Sequence, residues 1–457
     1  MERRKHTARS SRDPLKIQNK KERNSMKTRI GQFARSVSII GVGVTPLGNV
    51  QVNPELKDMT ERELFAWACM EAMEDAGLEA KDIDCLYVGH VFSESHSGQI
   101  STSGMFSRWI GMNEKPGFRH ETACCTAVSG LRHAVLAVAS GMHDVAISGC
   151  VDINLSNAMI GLPPFNRTPA VFEDVLYDSN ALGCDQAYWY PGGEIMAFLE
   201  GAYIAYGKKY GYSLDQLIDA ISKCSINSRR NAMNNPLALL VSENYEDEAK
   251  KFGFDDPMNY LKSKFNPLIG AIQGFKHTTG VADGASALIV CPTEMAKKLI
   301  KDRPVVEIAG LGMTTSSGYQ QPGSPMSFDL ESFAQSFTQA GIKDPYKELD
   351  YMAIHDCCAQ HYMTVTEAAG YFKPGEALHA VMEGRIAPEG DKPVNTSGGR
   401  LNLGHPIAGA AGYEIAEAVW QMQGKCGARQ IKKQPETVLV HGLGAGFHVA
   451  SAVLRAV

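Results

Sequence analysis

The sequence predicts an α/β layer fold in which one strand-and-helix unit is used twice. Three observations carry this. Short β-branched runs ending in glycine alternate with longer helical stretches, the pattern of strands buried beneath covering helices. The signals also recur in order: SIIGVGV, LYVGHV, a cysteine loop with a small-residue helix, and VAISGC are echoed after residue 303 by EIAGLGM, MAIHDCC, a glycine loop with a small-residue helix, and VLVHGL. The composition, 457 residues with 44% hydrophobic and 21% charged, is that of a globular chain too long for one ordinary core. No run reaches the 18 or so apolar residues of a membrane-spanning helix, so no membrane partner is expected.

Taken in order, the strands are expected near Val37–Val44, Cys85–Val91, Val145–Gly149, Ser286–Cys291, Val305–Gly310, Met352–His355, Thr437–Gly442 and Val449–Leu454. Helices fall between them at Thr60–Ala76, Val128–Ser140, Leu214–Ala232, Phe328–Ala340 and Ala408–Met422. Residues 36–302 then form a first half and 303–457 a second. The stretch 152–280, rich in Asn, Pro and Tyr, reads as an insertion that covers the substrate, and its Tyr188, Trp189, Tyr190 and Phe198 suit either an acyl pocket or a packed cover.

Charge is unevenly spread. Residues 1–35 hold 12 Lys/Arg against three acids, whereas the remainder carries 33 against 47. An acidic body excludes nucleic acid as the main partner, because phosphate binding needs a basic face. The basic extension 1–35 lacks the apolar stretch of a secretory signal and is too polar to fold alone, so a disordered tail is expected, with Met26 as an alternative start. Eleven cysteines, an odd number and sparse, do not make a disulfide scaffold, and a reducing, cytoplasmic setting follows.

Four segments can carry chemistry. In HETACCTAVSGLRHAVLAVASG a short extended piece meets a helix opening at Thr126, which puts Cys124 at a helix N-terminus where a thiolate is favoured. Taken alone, Cys124 reads more readily as a small buried hydrophobe than as a nucleophile, and Cys125 more so. In NTSGGRLNLGHPIAGAAG a glycine-rich turn and Pro406 present His405 as a candidate thiol base; neither P-loop spacing nor its lysine is there. In YMAIHDCCAQH a strand runs into His355-Asp356-Cys357-Cys358 with His361 behind. That cluster invites a zinc reading, but its spacing matches no finger or ribbon, so no metal is expected and Cys357 is read as a proton carrier. In VLVHGLGAGFHVASAVL exposed N–H groups at Gly442 and Gly444 could receive a developing oxyanion, although a glycine hairpin is also ordinary structure.

In this order the four segments resemble the thiolase superfamily, specifically the sterol-carrier-protein-2 type, with supporting likeness in SINSRRNAMNNPLA (225–238) and GVADGASALIV (280–290). The likeness runs from about Ser36 to Val457. It implies a duplicated five-layer α/β/α/β/α sandwich. It also selects Cys124, after Glu121-Thr122-Ala123, as nucleophile, with His405 of Gly-His-Pro, and His355 and Cys357 of His-Asp-Cys, as its partners. Where common thiolases have Cys-x-Gly, this chain has Gly442-Leu443-Gly444; in the sterol-carrier type the second thiol comes from the His-Asp-Cys motif, here Cys357.

The implied activity is retro-Claisen cleavage of a 3-oxoacyl-CoA, or its reverse, with coenzyme A as substrate. His405 would take the Cys124 proton, the N–H groups of Cys124 and Gly444 would hold the oxyanion, and a water placed by His355 would help His405 stabilise the enolate that Cys357 protonates. Thr279 is the position implied for pantetheine contact, while Arg229 and Arg230 read as a solvated helix face. The resemblance further implies a homodimer, or a heterotetramer with a small zinc-ribbon/OB-fold (DUF35-like) chain, as for relatives such as benzoylsuccinyl-CoA thiolase. Two other readings are a thiolase-fold aldolase, against which the retained Cys124 counts, and a half-active subunit.

Overall fold

In the computed structural model, residues 35–93, 100–156, 193–315, 327–444 and 448–457 are described, and the side chains of 193–198, 327 and 328 are left aside. Residues 1–34 of the basic extension and Tyr188, Trp189 and Tyr190 therefore lie outside the described residues, as does the Phe198 side chain.

Strand β1 (Val37–Val44) is buried along its whole length because its VSIIGVGV pattern places a glycine where a helix must come close. A Cβ at Gly41 or Gly43 would fall 2.1 Å from the carbonyl oxygens of Ala72 and Ala68, so helix α1 (Glu61–Ala76) lies directly on the strand. The same device recurs in the echoed segment. In β6 (Val306–Thr315), Gly310 and Gly312 would meet Ser336 and Ser332 oxygens at 2.1 and 1.9 Å, beneath helix α6 (Ser327–Ala340). Thr60 and Glu63 cap α1 with a reciprocal box, and Gly77 ends it at φ +66°.

The remaining strands are β2 (Cys85–Gly89), β3 (Gly117–His120), β4 (Ala146–Ile153), β5 (Asp283–Pro292), β7 (Tyr351–Ala353), β8 (Thr437–Gly444) and β9 (His448–Ala456). Hydrogen bonding orders them β3-β2-β4-β5-β1-β6-β9-β8-β7. Outward from the centre, β1-β5-β4 pair antiparallel and β4-β2-β3 parallel. On the other side β6-β9-β8 pair antiparallel, β8-β7 parallel, and an isolated parallel bridge from Met352 to Val394 stands where β3 stands in the first set. Among the described residues the two sets pair only through Ser38–Glu307 and Ile39–Val306.

Between the two sets lie helices α3 (Thr126–Ala139) and α8 (Ala410–Met422), built from Ala, Val, Gly and Ile and buried on nearly every face. They form the centre of one apolar cluster with the inner sides of both strand sets, while α1 and α6 cover the outer sides, giving the layered α/β/α/β/α order of the thiolase fold. None of the helices of the described residues is long and apolar enough to cross a membrane.

Three further helices matter for the site: α2 (Thr102–Trp109), α5 (Leu214–Met233) and α7 (His361–Ala368). Strand β3 and helix α2 were not foreseen. β3 reads GFRH with two exposed residues at a sheet edge, and so carries no β-branched run. β2 stops at Gly89, short of the expected Val91, because the Val91 N–H turns to Asp152 Oδ1 at 3.1 Å.

Candidate functional site

The strand-to-helix turn after β3 is tied by its own side chains. The Thr122 N–H donates to Thr126 Oγ1 (2.9 Å), the Thr126 hydroxyl to the Ala123 carbonyl (2.6 Å), and the Ala123 N–H to Glu121. Ala123 is thereby held at φ +48°, a region an L-residue occupies at a cost. The turn leaves Cys124 partly exposed, whereas Cys125 is fully buried and its thiol donates to the Thr122 carbonyl at 3.2 Å. Burial pushes the Cys125 thiol up to about 12, which disfavours its thiolate.

The second half supplies the rest. β7 delivers His355-Asp356-Cys357-Cys358, all buried, and the wide turn Gly399–Leu403 delivers Arg400 and then His405. Asp356 shapes that turn: its Oδ1 accepts from the Arg400 N–H at 2.7 Å and its Oδ2 from the Tyr362 hydroxyl at 3.0 Å. The Asn- and Ser-bearing face of α5 and the loop after it clamp the turn from outside, with Asn231 donating to the Asn395 carbonyl (3.3 Å), Asn235, past the helix end, to that of Ser397 (3.0 Å) and Asn402 back to Ser228 (2.8 Å).

The imidazoles converge. His355 and His405 meet edge to face with centroids 5.7 Å apart, and His361 lies 5.7 Å from His355. Burial, then the Arg400 cation, holds both His355 and His405 well below the usual histidine range, so both are neutral. The Cys357 thiol is pushed up by its Cys358 neighbour and by burial, and it also feels the charge of Cys124. Cys124, His355, Cys357 and His405 therefore share one site.

His405 differs from expectation. The glycine turn does not present it to solvent: the ring is 4% exposed and its Nδ1 has no protein partner. The backbone explains this, because Val281 bridges His405 and the Ala282 N–H donates to the His405 carbonyl at 3.1 Å, drawing the loop inward. Gly442 and Gly444 are likewise buried, inside β8, not exposed. Gly444 lies against the Cys124 turn, a Cβ there falling 2.3 Å from the Thr122 carbonyl, while Gly442 backs Cys125. Thr279 is half-buried beside the site: its N–H donates to the Cys357 carbonyl at 2.9 Å and its hydroxyl to the Arg400 carbonyl. Arg229 stacks on Tyr245 at 4.4 Å and Arg230 pairs with Glu246, so these arginines pack helices together.

Sequence reasoning missed Arg400, which is 2% exposed. Its Nε and Nη2 donate to the two oxygens of Glu414 at 2.6 and 2.9 Å, and its Nη1 to the Cys124 carbonyl at 3.0 Å and to His355 Nδ1 at 2.6 Å. The available signal was on α8, where Glu414 and Glu417 interrupt a small apolar helix; acids buried there need cations, and the second finds Arg429. His355, Cys357 and His361 bring three metal-type ligand atoms within 4.8 Å of one another. A dication among them would stand next to the Arg400 guanidinium, and His361 Nδ1 already donates to the His355 carbonyl at 2.7 Å.

These buried groups set a pH dependence of stability. Burial pushes His90, His277 and His361 down to about 3 and His120 to about 4, with His355 and His405 also well lowered. Each takes a proton in the unfolded chain near pH 6.5 that the fold refuses, so stability is lost on acidification below that, at about 1.4 kcal/mol per pH unit and group. Burial raises Asp152 and Asp356 to about 6, Glu61 to about 7, and Glu414 in the same direction; their contribution is opposite, lost as pH rises through those values. Among the described residues seven imidazoles, His133 included, stand against six carboxyls, Asp283 and Glu367 included, and below about pH 4 the carboxyls of the unfolded chain are protonated too, which removes the opposition. The urea midpoint is expected to fall most steeply between pH 4 and 3; a midpoint that rises over that interval would contradict this.

Comparison with known proteins agrees with the fold. The family model "Thiolase, N-terminal domain" matches residues 37–175 and "Thiolase C-terminal domain-like" matches 290–455. An acetyl-CoA acetyltransferase of Methanothermobacter thermautotrophicus is 27% identical over 91% of this chain and 100% of its own length. The benzoylsuccinyl-CoA thiolase subunit BbsB of Thauera aromatica is 25% identical over 91% and 96%. Among solved structures, the Ltp2-ChsH2(DUF35) aldolase superposes with TM-score 0.70 at 21% identity over 92% of this chain and 98% of that one. Human mitochondrial 3-ketoacyl-CoA thiolase in complex with CoA gives 0.63 at 16% identity over 93% and 99%; both likenesses concern the fold. The chain belongs to the thiolase superfamily.

Proposed function

We propose that this enzyme cleaves a 3-oxoacyl-CoA thiolytically through an acyl-enzyme on Cys124, or runs the reverse condensation. The observation that carries this reading is selective exposure: of the ten described cysteines only Cys124 is not buried, and it sits on a strained turn whose Cys124 carbonyl shares the Arg400 guanidinium with His355, against which His405 packs. A neutral imidazole accepts a proton, so His405 takes that of Cys124 and the sulfur attacks the keto carbon. The N–H groups of Cys124 and Gly444 receive the oxyanion, a role suited to backbone donors held rigidly by β8 and α3. Carbon–carbon cleavage leaves the shortened acyl group on sulfur and an enolate that takes a proton from Cys357, whose burial keeps it a thiol until it is needed. Free CoA, deprotonated by the Cys357 thiolate, then takes the acyl group, and the Cys124 sulfur it displaces recovers its proton from His405. Thr279, beside Cys357, lies where the pantetheine arm would pass. Each step is a proton or acyl transfer between thiols, imidazoles and carbon, so none asks for a metal ion.

The matches to a benzoylsuccinyl-CoA thiolase subunit and to the fold of an aldolase whose name includes a DUF35 chain support assay both alone and with a zinc-ribbon/OB-fold companion. The decisive test is incubation with linear, branched and aromatic 3-oxoacyl-CoAs without free CoA, followed by peptide mass analysis. A mass increment equal to the shortened acyl group on the Cys124 peptide, discharged by CoA, is expected. Labelling elsewhere, or aldehyde or ketone release without any adduct, would overturn the reading in favour of an aldolase.

Cys357→Ala separates the two thiols. It is expected to retain Cys124 acylation but to slow exchange of the acyl-CoA C2 hydrogens with deuterated water by about 100-fold or more. Unchanged exchange would assign the proton donor elsewhere.

A further inference from the structure

We propose that Arg400, clamped by Glu414, is a positioning residue that fixes His355 as a permanent Nε2–H donor facing the reacting atoms. This rests on the reading of Cys124 as acyl carrier. Arginine can only donate, and its Nη1 lies 2.6 Å from His355 Nδ1. The Leu443 N–H points at the same nitrogen from 3.3 Å. Two donors on one ring nitrogen leave it no proton, so the neutral ring must carry its proton on Nε2. His355 then cannot take the Cys124 proton; that task is left to His405, and the Nε2–H becomes a fixed donor for negative charge.

The same guanidinium closes the geometry on the other side. The second Nη1 contact is the carbonyl of Cys124 itself, 3.0 Å away and 276 residues earlier in the chain. One planar group therefore sets the distance between nucleophile and donor. Glu414 holds its remaining edge with two bonds, so its plane cannot turn. The main chain of His355 is fixed independently: its N–H donates to His441 Nδ1 at 3.4 Å, and His441 Nε2 donates to Asp329 at 3.1 Å. With Nε, Nη1 and Nη2 all committed to the protein, Arg400 works through His355 and Cys124.

Arg400→Met alone would strand a buried carboxylate, so the test removes both charges in Arg400→Met/Glu414→Leu, an apolar pair of similar volume. Histidine-selective 15N spectra, with the His355 signals assigned by their loss in His355→Gln, read the tautomer directly. The wild type is expected to show His355 only with unprotonated Nδ1, and the double variant a mixture of both tautomers. Its kcat is expected to fall at least tenfold with KM within about threefold, because positioning acts on the reacting state and little on binding. A folded double variant that keeps the single Nε2–H tautomer and wild-type kcat would overturn the proposal. If the double variant does not fold, Arg400→Lys decides. Lysine keeps the charge but cannot bridge Glu414, Cys124 and His355 at once, so a mixed tautomer with lowered kcat supports the proposal, and a single tautomer with full kcat defeats it. Failure of the functional reading would look different: the wild type would turn over no 3-oxoacyl-CoA while its His355 tautomer stayed as described.

Discussion

Replacing Cys124 by alanine is expected to lower kcat for thiolytic cleavage by at least about 10³-fold, the scale on which loss of a covalent nucleophile acts. Melting temperature should scarcely move, because the side chain is only partly buried and its turn is tied by Thr122, Thr126 and Glu121. Cys125→Ala is the matched control. It empties a small buried volume beside Gly442, costs about 1 kcal/mol, and should leave kcat within about threefold. Steady-state assays of the two variants side by side check this, and comparable losses in both would remove the distinction between an exposed nucleophile and a packed neighbour.

The second large effect concerns a single hydrogen atom. Gly399 sits at φ +57°, and a Cβ there would lie 1.9 Å from Asp356 Oδ2. Gly399→Ala must therefore both adopt the left-handed region and displace a buried carboxylate that holds Arg400 and Tyr362. The combined loss is expected to be about 3 kcal/mol. Because the displaced carboxylate shapes the turn that carries Arg400 and His405, kcat should fall at least tenfold as well. Gly384→Ala is the control, with a similar φ of +78° and nothing within 4 Å of its Cβ. It should cost about 1 kcal/mol from backbone strain alone and leave kcat intact. Thermal melts and kinetics on both variants test this; equal stability losses with equal activity would show that the Asp356 contact is not what the turn depends on.

The layers and the repeat were legible in the sequence because they rest on local pattern. SIIGVGV and EIAGLGM announce two strands, and their paired glycines admit α1 and α6 in the same way. The place of Cys124 before a small-residue helix was legible, but its selection, like its grouping with His355, Cys357 and His405, came from motif order together with family likeness. What could not be read was burial and long-range partnership. His405 on its glycine turn reads as presented, yet a bridge to Val281 draws it inward. Arg400 reads as one more basic loop residue, because each of its partners is distant: Glu414 by 14 positions, His355 by 45 and Cys124 by 276. Strand β3 failed for the opposite reason, being too short and too polar at a sheet edge to leave a local pattern.

Among the described residues the sheet joins its two sets of strands through two residue pairs, Ser38–Glu307 and Ile39–Val306. One sulfur is carried on one side of that seam, and the other sulfur with all three site imidazoles on the opposite side. On the proposed roles, alignment of attacking atom and proton source is then a property of how two similar blocks register against each other, with α3 and α8 serving as the keyed joint between them. A packing change deep in that joint, far from any reacting atom, would show up as slowed chemistry before it showed up as unfolding.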